Sequence, residues 1–153
     1  MRPASYLSLA ALVLAALALV PAGAHFFELP AKMALPQDDY FTVQQIYRGW
    51  SLFGIALIGS LAANFALAVA LRRERAPRLF AAAGFVLMAG VLVLFFAFIY
   101  PANQATANWT AVPENWDALR RQWEYGHAVN AVLTFAAFIC IAVSALTTRR
   151  DAG

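Results

Sequence analysis

The sequence predicts an all-α membrane protein, a bundle of four transmembrane helices with both termini cytoplasmic, and three observations carry that expectation. First, the 153-residue chain is 63% hydrophobic and 12% charged, against roughly 45–50% and about 25% in ordinary soluble domains. Second, four apolar stretches, at 6–29, 50–71, 79–100 and 128–146, are each close to the ~20 residues that cross about 30 Å of hydrocarbon. Third, the basic residues are asymmetric. Arg2, Arg72, Arg73, Arg75, Arg78, Arg149 and Arg150 share one side with only Glu74 and Asp151. On the other side Lys32, Arg48, Arg120 and Arg121 are outnumbered by Glu28, Asp38, Asp39, Glu114, Asp117 and Glu124. Short cytoplasmic loops collect arginine and lysine, so the arginine-rich side is expected inside and the chain is expected as one multi-pass membrane domain, residues 1–153. A disordered chain is excluded by the apolar content. A disulfide scaffold is excluded because Cys140 is the only cysteine. Nucleic acid is not an expected partner, because the arginines lie beside apolar segments and do not interleave with aromatics.

The first helix is expected over 6–29. Arg2, an apolar run and Ala22-Gly23-Ala24 also have the form of a secretory signal, but the apolar character continues through Phe26, Phe27 and Leu29, which favours a retained membrane helix. The second helix, over 40–71, should start outside the membrane after Pro36, with an Asp38 or Asp39 side chain capping the amides near Tyr40. The third is expected over 79–100 and ended by Pro101. Pro113 followed by Glu114 marks a helix start with proline in the first turn, and Trp116, Leu119 and Trp123 then recur on one face, so the fourth helix is expected over 113–146.

Ionisable groups at the rim of a span are costly and mark a site. His25 with Glu28, and Glu124 with His127, form mirror-image pairs at the same ends of the first and fourth spans, and these are the only two histidines. A three-residue step rises about 4.5 Å and returns nearly to the same helix face, so each imidazole and carboxylate point together, and the two helices are expected to be neighbours. Glu-x-x-His opposite other carboxylates is how four-helix bundles hold iron and manganese. Two imidazoles with carboxylates suit iron, manganese, copper or zinc, so His25, Glu28, Glu124 and His127 are expected to ligate one first-row metal. A metal-free alternative has Glu124 or Glu28 remove an acidic C–H proton, which a histidine returns or stabilises. The plainest alternative is structural hydrogen bonding at a wet surface.

Arg120, Glu124, His127, Asn130 and Thr134 continue one polar face of the fourth helix. Gln44, Arg48 and Ser51 form a similar line on the second, with Tyr40 and Tyr47 beside it. With Glu124 and His127, Arg48 reads as catalytic, gripping an anionic substrate oxygen, or else as an interfacial arginine that snorkels to water. Gln44, Tyr47, Asn103, Trp109 and Trp123 are expected to line the site of a lipophilic, aromatic or quinone-like substrate, with Trp109, Trp116 and Trp123 as its roof. The non-enzymatic alternative is a membrane protein that binds a lipid, a quinone or a partner subunit through its apolar faces.

Three segments carry a family resemblance across nearly the whole chain: Ala24-His25-Phe26-Phe27-Glu28-Leu29-Pro30-Ala31-Lys32-Met33, Tyr40-Phe41-Thr42-Val43-Gln44-Gln45-Ile46-Tyr47-Arg48-Gly49-Trp50, and Pro101-Ala102-Asn103-Gln104-Ala105-Thr106 with Trp123-Glu124-Tyr125-Gly126-His127. In these the chain resembles the anthrone oxygenase-like family, whose bacterial members are largely of unknown function. The resemblance implies a small four-helix membrane protein and, for some fungal members, oxygenation of an anthrone to an anthraquinone.

Overall fold

The computed structural model describes residues 3–148. Arg2, Arg149, Arg150 and Asp151 of the charge asymmetry lie outside the described residues. Among the described residues four helical stretches are long and apolar enough to span a membrane: Ala4–Met33, Trp50–Ala70, Arg75–Ala105 and Trp116–Thr147. They are built from α1 (Pro3–Met33), α3 (Phe53–Ala70), α4 (Arg75–Leu94) with a short α5 (Tyr100–Ala105), and α6 (Trp116–Thr147), and α2 (Gln37–Gln44) lies outside the spans. Each long helix packs on the next in the chain, and α6 closes the ring against α1. The centre is filled by small side chains, Ala11, Ala15, Ala63 and Ala137, with Met88 and Ile141. Small residues let membrane helices approach closely where no hydrophobic drive separates helix from lipid.

Packing at one end fixes the arrangement. Ala4 and Leu7 of α1 sit against Leu67, Leu71 and Ala81, and Ser144 of α6 donates to the Pro77 carbonyl at 2.8 Å. The start of α1 and the end of α6 therefore share the end that carries the arginine loop. Glu28 and Glu124 lie at the opposite end.

Several element boundaries differ from the expectation, and α6 starts at Trp116, which leaves Pro113 in the loop before it and not in its first turn. The helix expected over 40–71 is not continuous: α2 passes into a 3₁₀ turn at Gln45–Tyr47, and a second, Trp50–Leu52, precedes α3. Gly49 between them has φ +89°, a left-handed conformation that glycine adopts without a Cβ penalty. Nor does Pro101 end the third span. It occupies the first turn of α5 after a π-helical stretch, Phe95–Ile99, where the widened i→i+5 register tolerates the amide that proline lacks. The Phe98 carbonyl in this stretch accepts from Gln122 Nε2 at 2.7 Å. Finally, α1 runs beyond 29 through Pro30 to Met33, ending with Lys32 in its last turn, where a cation suits the helix dipole. No side chain caps α2. The Tyr40 amide bonds the Pro36 carbonyl at 3.0 Å.

Candidate functional site

The end opposite the arginine loop is packed by Tyr40, Ile99, Ala102, Trp109, Leu119 and Trp123. Close approach is built in at Gly126, where a Cβ would come within 3.0 Å of Ile99, so α6 can lie directly against the π-helical stretch. The segment after α5 carries three consecutive residues with positive φ, Ala107 (48°), Asn108 (56°) and Trp109 (62°). Such backbone persists only where its surroundings hold it. Here Thr106 Oγ1 accepts from the Trp109 amide at 3.1 Å, and the turn brings the indole of Trp109 edge-on to Tyr40, with ring centres 5.3 Å apart.

At the centre is Glu124, fully buried. Its Oε1 accepts from the Tyr40 hydroxyl at 2.9 Å and from Gln44 Nε2 at 3.3 Å. Its Oε2 faces the Lys32 ammonium at 3.0 Å. Lys32 is itself buried. Its Nζ also lies 3.7 Å from Glu28 Oε2 and 3.5 Å from His25 Nδ1. An ammonium cannot accept, so this contact leaves Nδ1 the acceptor. The ammonium also faces the rings of Tyr47 and Trp123, 4.8 and 4.9 Å from their centres, in cation–π geometry.

The two expected pairs do come together. The rings of His25 and His127 are 4.1 Å apart at 33°, so the first and fourth spans are neighbours at this depth. His127 also packs on Trp123 at 4.2 Å. What the donors surround is a lysine. Among the described residues no three His, Cys, Asp or Glu side chains are gathered as a metal ion would need, and the point between His25, Glu28 and Glu124 is taken by Lys32 Nζ. The four residues as arranged do not fit a metal centre.

The remaining expected residues divide. Gln44 reaches Glu124 directly, and Tyr47 donates to Glu28 Oε2. Asn103 acts one step back: its Oδ1 accepts from Trp123 Nε1 at 2.8 Å and from Trp109 Nε1 at 3.2 Å, fixing the two indoles. Trp116 joins them through Tyr40. Arg48 is outside the site, exposed and donating to Gln45 at 2.9 Å, because the chain turns at Gly49 and the expected helical line from Gln44 through Arg48 to Ser51 is broken. The buried arginine is Arg120, which donates to the Leu35 carbonyl at 3.0 Å, pairs with Asp117 at 2.5 Å and covers Trp116 at 4.7 Å. It closes the site from the loop side.

Outside the spans, burial pushes the phenol of Tyr40 well above its ordinary value of 10, and the neighbouring Glu124 carboxylate adds to this. Tyr47 is raised likewise, first by burial and then by its bond to Glu28. Both therefore serve as neutral donors. Tyr40 and Lys32 carry more of the site than the sequence reading gave them. The signal for Lys32 was present: it stands four residues after Glu28 and seven after His25, on one helix face.

A profile of the anthrone oxygenase family matches residues 44–140, most of the chain, including Glu124 and His127 of α6. The chain belongs to the anthrone oxygenase family. Neither a curated protein nor a solved structure gives a significant match. Lys32 and Tyr40 precede the matched segment and reach its core residue, Glu124, from α1 and α2, while Glu28 meets it only through Lys32.

Proposed function

We propose that this family member is a membrane oxygenase that removes an activated C–H proton from a lipophilic aromatic substrate and lets the resulting carbanion react with dioxygen. The observation that supports this is the state of Glu124: one oxygen is fixed by Tyr40 and Gln44, and the other is met only by the Lys32 ammonium at 3.0 Å. A carboxylate so placed is a general base. Lys32 beside it is a fixed cation where negative charge develops on a ketone or peroxide oxygen, and such preorganised charge acts strongly in a water-poor site.

For an anthrone-type CH₂ the sequence balances without another reductant. Glu124 takes the first proton. The carbanion gives two electrons to dioxygen, by single-electron transfer and recombination, and forms a C–O bond. The peroxide anion takes a proton and becomes a hydroperoxide. Loss of the second C–H proton with cleavage of the O–O bond then gives the ketone and water. Substrate would enter beside Glu28, whose side chain is 37% exposed, along Tyr47 and Trp50, with the exposed Phe26 and Phe27 at the lipid boundary. A metal reading would require Lys32 to leave the centre of its own donor set, so the base reading is preferred. We place the protein in a bacterial inner membrane with the arginine end cytoplasmic.

The test is oxygen uptake by the purified protein with an anthrone. Glu124→Gln should lower turnover by about 10²–10⁴-fold with the fold retained, and turnover in that variant within threefold of wild type would overturn the proposal.

A further inference from the structure

At the opposite end of the bundle two adjoining grooves, of about 320 and about 400 Å³, open between α3 and α4 and share Arg72, Arg78 and Ala82. The first continues along the membrane-facing wall past Phe65, Ala68, Val69 and Phe85, and the rings of Phe65 and Phe85 meet at 5.6 Å. The second is rimmed by Arg73 and Arg75 as well. All four arginines are exposed and stand at the point where α3 ends and α4 begins, at headgroup depth for a helix that spans the bilayer. The loop carrying them is held: the Glu74 amide bonds the Leu71 carbonyl at 2.8 Å, the Arg78 amide bonds the Glu74 carbonyl at 3.1 Å, and Ser144 bonds the Pro77 carbonyl at 2.8 Å.

We infer that this groove binds one anionic diacyl phospholipid, with its phosphate on Arg72 and Arg78 and an acyl chain along the Phe65, Val69 and Phe85 wall. Charge chooses the occupant. Guanidinium groups match phosphate oxygens bidentately, and basic pockets between transmembrane helices take anionic headgroups. A zwitterionic choline headgroup would set a fixed cation against four arginines. The apolar wall adds what a positively charged rim alone lacks, a place for the chain of the same molecule that the arginines hold.

The test is native mass spectrometry of the detergent-purified protein given equimolar phosphatidylglycerol and phosphatidylcholine of matched chains. Wild type should retain the glycerol lipid at least fivefold over the choline lipid. Arg72→Gln with Arg78→Gln should bring the ratio to parity. Ala82→Trp, which leaves every arginine and fills the wall, should do the same. Inorganic phosphate at millimolar concentration should leave the wild-type ratio unchanged. Equal retention of the two lipids by wild type, an unchanged preference in Ala82→Trp, or displacement by inorganic phosphate would each overturn the inference.

Discussion

Removing Lys32 should cost more than removing Glu124, although each deletion breaks the same ion pair. At the observed 3.0 Å the attraction is about 5–6 kcal/mol with an effective dielectric near 20, and most of it is offset by the several kcal/mol needed to desolvate each ion. The pair is therefore worth little net, and the asymmetry lies in what each deletion strands. In Lys32→Met the fully buried Glu124 keeps Tyr40 and Gln44 as donors but has no cation, and breaking a buried pair in this way costs about 3–5 kcal/mol. In Glu124→Gln the amide carbonyl can still accept from Tyr40 and Gln44, while Lys32 turns to Glu28, 3.7 Å away, so about 1–2 kcal/mol is expected. The double variant should cost no more than Lys32→Met alone, which gives a coupling of roughly 1–2 kcal/mol, well above the ~0.3–0.5 kcal/mol scatter of independent sites. The assay is reversible unfolding in mixed micelles followed by tryptophan fluorescence, since Trp123 lies 4.9 Å from the ammonium. Additive losses, or a larger loss in Glu124→Gln than in Lys32→Met, would refute the reasoning.

Three further outcomes are expected. Tyr40 and Tyr47 are raised above the ordinary phenol value, so the fold favours their neutral form; their contribution is complete below about pH 10 and declines only as pH rises towards the raised values. Wild type and Tyr40→Phe/Tyr47→Phe should then show the same phenolate absorbance up to about pH 11, and a wild-type excess below that would contradict the site geometry. Asn103→Leu leaves two indole N–H groups unpaired and should cost about 2 kcal/mol by the same unfolding assay, against no change if Asn103 only faces solvent. Gly49→Val forces a β-branched residue into φ +89° and should destabilise the protein by at least about 1 kcal/mol, whereas unchanged stability would mean that the helix expected over 40–71 is continuous after all.

The spans were legible because a run of apolar residues is a signal that little else imitates. The two His/Glu pairs were legible because a three-residue step fixes the face. The ends of the spans were not, because helical periodicity continues through Gly49 and Pro101 alike, and only tertiary contacts decide that the helix is interrupted at one while a π-helical stretch lets it pass the other. Losing the phase at Gly49 is what moved Arg48 out of the site. Lys32 was counted with the outer charges because its spacing from His25 and Glu28 places it on their face only if α1 continues past Pro30, and that continuation is seen in the fold. Asn103 was assigned to substrate for a similar reason: its two indole partners come from sites 6 and 20 residues away.

The central claim is that Glu124 takes a carbon-bound proton before oxygen is involved. The direct measurement is hydrogen–deuterium exchange at the CH₂ of an anthrone in D₂O under strict anaerobiosis, with a chelator present, followed by NMR. The account predicts exchange well above the buffer rate with wild type and at the buffer rate with Glu124→Gln. Exchange at the buffer rate from a wild-type preparation that consumes oxygen with the same substrate in air would contradict it.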